Sequence, residues 1–134
     1  DISSFLTLAG HTLTGGIANG HHILRPPYFP SFRTKKLSGI RSCNMGLFRK
    51  DALAVNGFNH DFIGWGREDT EFVVRLTRYG LLRKENPFRA ICFHLWHKEN
   101  SRDQLSKNDQ ILDAARQEGG YFARIGINTL NTED

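Results

Sequence analysis

Gly64-Trp65-Gly66-Arg67-Glu68-Asp69-Thr70-Glu71 is the stretch that leaves this chain least freedom. Its acids lead an apolar stripe at Phe72, Val73, Leu76 and Tyr79, whose spacing is helical, and Gly80 stops the run. Acids in the first turn and bases at Arg75 and Arg78 toward the end complement the helix dipole, and Glu71 with Arg75 makes an i,i+4 pair. The stretch predicts a helix entered through an irregular loop. Two glycines around a tryptophan let that loop present an indole ring to solvent, just ahead of the unsatisfied N–H groups that open the helix.

Other elements gather around this one. Residues 1–38 read as loop with one or two short strands, because Gly10, Gly15, Gly16 and Gly20 punctuate them and Arg25-Pro26-Pro27-Tyr28-Phe29-Pro30 forces extended backbone. Cys43-Asn44-Met45-Gly46-Leu47-Phe48 reads as a strand running into a helix at Lys50–Asn56, closed by Gly57. Leu81-Leu82-Arg83 and Ala90-Ile91-Cys92-Phe93 read as strands around an Asn86-Pro87 break. Ser101-Arg102-Asp103-Gln104 resembles a capping box for a helix reaching Glu118, ended by Gly119-Gly120, and the polar tail from Asn128 is expected to fray. The order of elements is α/β or α+β in character, and no internal repeat is present.

At 134 residues the chain holds one domain, and 39% hydrophobic with 24% charged residues is globular composition rather than that of a disordered chain. No apolar run approaches the roughly 20 residues of a membrane span, so a transmembrane segment is not expected. The start, Asp-Ile-Ser-Ser, has neither Met nor a signal-like run, and the chain is expected to be one piece of a longer protein. The net charge of +4 gathers partly at Arg33, Lys35, Lys36, Arg41, Arg49 and Lys50, but no zinc-finger spacing, basic heptad helix or ribonucleoprotein strand accompanies it, so nucleic acid is not an expected partner. Cys43 and Cys92 each sit in an apolar stretch, which suits buried thiols and a reducing compartment.

Three kinds of chemistry are excluded or weakened by pattern. Gly15-Gly16 is not followed by a Gly-Lys-Ser or Gly-Lys-Thr, and neither Gly-x-Gly-x-x-Gly nor Gly-x-Ser-x-Gly occurs. His11, His21, His22 and His60 lack metal spacing; of His94-Leu95-Trp96-His97, a single ligand at His97, past the expected strand end, is a better reading than a shared pair, though each histidine taken alone reads first as structural. The Trp65 loop remains. The apolar face of a sugar stacks on an indole while carboxylates accept from its hydroxyls, and one carboxylate can take a proton from an attacking hydroxyl. Acids in a first turn ordinarily serve the dipole alone, and the flanking Gly-Trp-Gly is what brings the sugar reading level with that one.

Asn44-Met45-Gly46-Leu47-Phe48-Arg49-Lys50, Val55-Asn56-Gly57-Phe58, Gly64-Trp65-Gly66-Arg67-Glu68-Asp69 and His97, in this order, resemble the C-terminal half of GT-A-fold glycosyltransferases. The resemblance covers about Ser38 to Asn100 and is to family 2 enzymes of the chondroitin-polymerase type and to β-1,4-galactosyltransferases. It implies an α/β half-domain, a short mixed sheet with packed helices, with residues 1–37 as an irregular Gly/Pro-rich connection and 38–134 as the acceptor-side subdomain. It further implies Asp69 as the general base of an inverting displacement, Glu68 as a holder of sugar hydroxyls, Trp65 as the stacking surface, Gly64 and Gly66 as the bends, and Arg67 as part of the same acceptor site. His97 matches the histidine that helps bind a Mn²⁺ or Mg²⁺ bridging the donor's diphosphate.

Two departures accompany the resemblance. No Asp-x-Asp occurs anywhere, so the nucleotide- and metal-binding N-terminal half is expected to lie outside this chain, and Thr70 stands where the galactosyltransferase subgroup has a third acid. The expected function is that of a C-terminal glycosyltransferase piece, inactive alone, whose parent uses a nucleotide-diphosphate sugar donor and a saccharide acceptor in polysaccharide biosynthesis. Its expected location is cytoplasmic, at the inner membrane face. Two other classes stay open: a non-catalytic carbohydrate-binding module using Trp65, Trp96 and Tyr28, and a basic domain binding acidic polymer through Arg33 to Lys50.

Overall fold

The computed structural model describes residues 5–18, 20, 26, 28–89, 91–92, 94, 97–98 and 100–130. It is a mixed α/β structure: α1 (Phe5–Leu13), β1 (Phe32–Thr34), α2 (Arg49–Ala54), α3 (Glu68–Arg78), β2 (Arg83–Glu85), α4 (Leu105–Glu118) and α5 (Ile127–Leu130). The chain divides into two compact units, one of residues 1–33 with 84–94 and the other of 34–83 with 95–134. The divisions fall within β1 and β2, which pair as a two-stranded sheet.

The first unit contains α1, where a loop is expected. Leu8 is buried, Thr12 Oγ1 donates to the Leu8 carbonyl at 2.8 Å, and Gly15 ends the run in a left-handed conformation. Gly10 and two β-branched threonines hide this helix from a propensity reading. Phe29 and Phe88 pack edge to face with ring centroids 4.8 Å apart. Ile91 and Cys92 are not in a strand, and Ala90 and Phe93 lie outside the described residues.

The second unit carries the main core: Val55, Phe72 and Leu76 are buried, with Met45, Ala52 and Leu81 packed against them. Helix α3 forms as its stripe predicts, and it packs on α4. Arg78 ties their ends together, donating to the Ala115, Arg116 and Gly120 carbonyls at the close of α4. The expected strand at Cys43–Phe48 is instead a 3₁₀ turn at Ser42–Asn44 followed by extended chain. Extended dihedrals make a strand only where another strand supplies the ladder, and none does so among the described residues. The capping box ahead of α4 is likewise absent; Ser101 Oγ accepts from the Asp103 N–H in a local turn, and α4 starts at Leu105 with no side-chain cap.

The tail does not fray at Asn128. Asn56, left-handed at φ 62° and 1% exposed, donates through Nδ2 to the Ala123 carbonyl and accepts the Asn128 N–H through Oδ1 at 2.8 Å. Its own carbonyl accepts from the Ile127 N–H. Gly126 approaches so closely that a Cβ there would lie 1.9 Å from the Asn56 oxygen. Cys43 and Cys92 form no disulfide and are exposed, not buried, because neither of their segments folds as an interior strand.

Candidate active site

The loop before α3 turns through left-handed backbone at Gly64 (φ 74°), Gly66 (φ 100°) and Arg67 (φ 82°). Glycine accepts this freely, whereas an arginine there costs about 1 kcal/mol or more. Both glycines are also close to α4: a Cβ on Gly64 would touch Gln104 at 3.6 Å, and one on Gly66 would meet Leu105 at 3.3 Å. Arg67 stands at the N-cap with no side-chain cap, and its guanidinium instead pairs with Asp109 on α4, both side chains 44% exposed.

The side chains expected to act fall on this loop and the first helical turn. Trp65 is 41% exposed, with the Arg102 guanidinium 4.6 Å from its ring centroid. Glu68 is half-buried, and its Oε2, closed to solvent, receives no hydrogen bond. Asp69 accepts the Ser42 N–H at 3.3 Å through Oδ2 and the Thr70 hydroxyl at 3.4 Å through Oδ1. Both bonds are long, and they orient the carboxylate without saturating it. Glu71 is different: it is 2% exposed and forms a bidentate pair with Arg75, at 2.6 and 2.9 Å, while Arg75 also donates to the Val55 carbonyl. It is a core residue. A cavity of about 270 Å³ lies over this pair, lined also by Ala115 and Phe122, and it does not include Trp65, Glu68 or Asp69.

His97 is exposed, and its Nδ1 lies 2.9 Å from the Lys98 carbonyl. With the proton on Nδ1 this is a donated bond. Among the described residues no three His, Cys, Asp or Glu side chains converge to hold a metal ion. His94 and Tyr28 belong to the other unit, and Trp96, like His21 and His22, lies outside the described residues.

Two participants were not singled out from sequence. Ser42 reaches Asp69 through its backbone N–H, which no side-chain pattern can reveal. Asn108, 1% exposed, donates through Nδ2 to the carbonyls of Ile63 (3.1 Å), Trp65 (3.3 Å) and Gly66 (3.0 Å). Its signal was available: it is a polar residue at an inward position of α4, between Leu105 and Leu112.

Residues 22–98, more than half of the chain, match the family described as the N-terminal domain of galactosyltransferase. The chain belongs to the galactosyltransferase family. It is 34% identical over 95 residues to human chondroitin sulfate N-acetylgalactosaminyltransferase 1, covering 68% of this chain and 18% of the relative. The mouse protein of the same name is 33% identical over the same length. Xylosylprotein 4-beta-galactosyltransferase of Caenorhabditis elegans is 34% identical over 106 residues, 71% of this chain and 34% of the relative. The galactosyltransferase-family chain thus spans less than a fifth of the chondroitin enzymes' length. No solved structure matches it.

Proposed function

We propose that this chain is the acceptor-side half of an inverting glycosyltransferase, of GT-A type and related to the family 2 chondroitin polymerases, that transfers a sugar from a nucleotide-diphosphate donor to a saccharide hydroxyl. The observation that carries the proposal is the Trp65 indole, 41% exposed, on a left-handed loop that leads straight into a first helical turn bearing Glu68 and Asp69, with Asp69 oriented by two long hydrogen bonds. The relatives' names give galactose and N-acetylgalactosamine as the sugars to test first. A non-catalytic sugar-binding module is not favoured, because the named relatives are transferases.

In this reading the acceptor sugar stacks on Trp65, Glu68 takes hydrogen bonds from its hydroxyls, and Asp69 receives the proton of the attacking hydroxyl. The acceptor oxygen forms a bond to the anomeric carbon as the bond from that carbon to the diphosphate oxygen breaks. The diphosphate departs on the opposite face with the electron pair, and the anomeric configuration inverts. A divalent cation, Mn²⁺ or Mg²⁺, supplies charge neutralisation to that leaving group when bound. His97 would hold it, with the remaining ligands coming from an Asp-x-Asp in a nucleotide-binding half outside this chain. On that account the isolated chain turns over no donor.

The test is Asp69→Asn in the full-length protein that contains this chain. Transfer from nucleotide-diphosphate galactose or N-acetylgalactosamine is expected to fall by about 10²–10⁴-fold, with acceptor binding nearly intact. Normal turnover in that variant removes Asp69 from the role of base.

A further inference from the structure

We infer that Asn108 is a positioning residue for the acceptor loop: one amide on the rigid α4 helix holds the Ile63, Trp65 and Gly66 carbonyls and thereby sets the indole on which the acceptor stacks. This deepens the proposed function and rests on its reading of Trp65 as the stacking surface.

The chemistry requires an amide at this place. The three carbonyls crowd one side of the Asn108 side chain at 3.0–3.3 Å, so the Nδ2 group must face them; a flipped amide, or an aspartate, would set oxygen against oxygen. Left-handed backbone at Gly64, Gly66 and Arg67 takes these carbonyls out of any helix or strand ladder, so a side chain has to donate to them. Asn108 does so at a disadvantage to the fold, since its own Oδ1 is buried with no donor. A leucine at this inward position of α4 would remove that deficit but leave the three loop carbonyls without their donor. What the asparagine supplies is a fixed loop geometry, and the loop carries Trp65.

The experiment compares Asn108→Asp and Asn108→Ala with Leu112→Ala, a buried change one turn further along the same helix that removes no hydrogen bond to the loop, in the full-length protein. Expected is a rise of about tenfold in acceptor KM for both Asn108 variants with donor KM within about twofold, while Leu112→Ala lowers the melting temperature and leaves acceptor KM within about twofold. Equal rises in acceptor and donor KM, or the same acceptor KM rise in Leu112→Ala, would overturn the inference. Hydrogen exchange at the amides of residues 64–68 provides a readout independent of activity. It should accelerate in the Asn108 variants and not at residues 114–118, and an unchanged loop overturns the inference. Should the aspartate variant fail to fold, the alanine variant decides. A full-length protein that transfers no sugar sinks the proposed function, while accelerated loop exchange would still show the clamp.

Discussion

Two pairs of charged residues one turn apart on α3 meet opposite surroundings. Glu71 and Arg75 are 2% and 3% exposed and bind each other through two bonds, with a third from Arg75 to the Val55 carbonyl. Among the described residues Glu68 and Asp69 form no ion pair: Glu68 keeps one oxygen without a donor, and Asp69 accepts two long bonds. The first pair is what a fold needs, since a buried charge must be matched. The second complements the dipole at the start of α3 without an ion-pair partner among the described residues. Carboxylates outside any ion pair, following an exposed indole in the chain, mark the end of α3 that the proposed function assigns to the acceptor.

The contrast breaks if the two pairs respond alike to substitution. Asp69→Asn is expected to reduce transfer by about 10²–10⁴-fold while the denaturation midpoint stays where it was. Arg75→Met should do the reverse. It leaves Glu71 buried without its partner and is expected to lower unfolding free energy by about 3–5 kcal/mol, measured by urea denaturation. The transfer rate per folded molecule should hold, because the Arg75 guanidinium is engaged by Glu71 and the Val55 carbonyl. A large activity loss in folded Arg75→Met would mean that the buried pair belongs to the site.

These two ends of α3 were unequally legible. The helix itself was, because apolar spacing, dipole-complementing charges and a terminal glycine all agree between Glu68 and Gly80. That Glu71 turns inward was not, since an i,i+4 pair reads the same on a solvated face as in a core. Strand assignments failed at Cys43–Phe48 because a strand depends on a partner elsewhere in the chain, and α1 was hidden by Gly10 and its threonines. The motif residues of the candidate site were read by resemblance and do lie together on one loop and turn. Their support was not legible: Asn108 and Asp109 lie more than forty residues along the chain from the loop they hold. The Val55-Asn56-Gly57-Phe58 part of the resemblance proves to be structural, Asn56 anchoring the C-terminal segment and Phe58 stacking on Phe72 at 4.4 Å.

A smaller effect sharpens the comparison from the other side. Glu68→Gln keeps the shape but weakens the acceptor, so acceptor KM should rise by about tenfold, the value of one hydrogen bond to a charged group. Its denaturation midpoint should stay level or rise, because a carboxylate oxygen without a donor is lost from the folded state. A clear loss of stability would place Glu68 with Glu71 as a structural acid.

The smallest expected effect concerns Arg67, which joins the loop to α4 and sits at φ 82°. Its pair with Asp109 is nearly half exposed on both sides and contributes no more than about 1 kcal/mol. Arg67→Ala and Arg67→Gly both remove the pair, yet only glycine accepts the left-handed backbone, so the glycine variant should be the more stable by about 1 kcal/mol. Activity then separates two roles for the same side chain. If Arg67 binds the acceptor, both variants raise acceptor KM equally. If it only holds the loop's backbone, the glycine variant, whose turn is relieved of strain, stays nearer the parent than the alanine variant does.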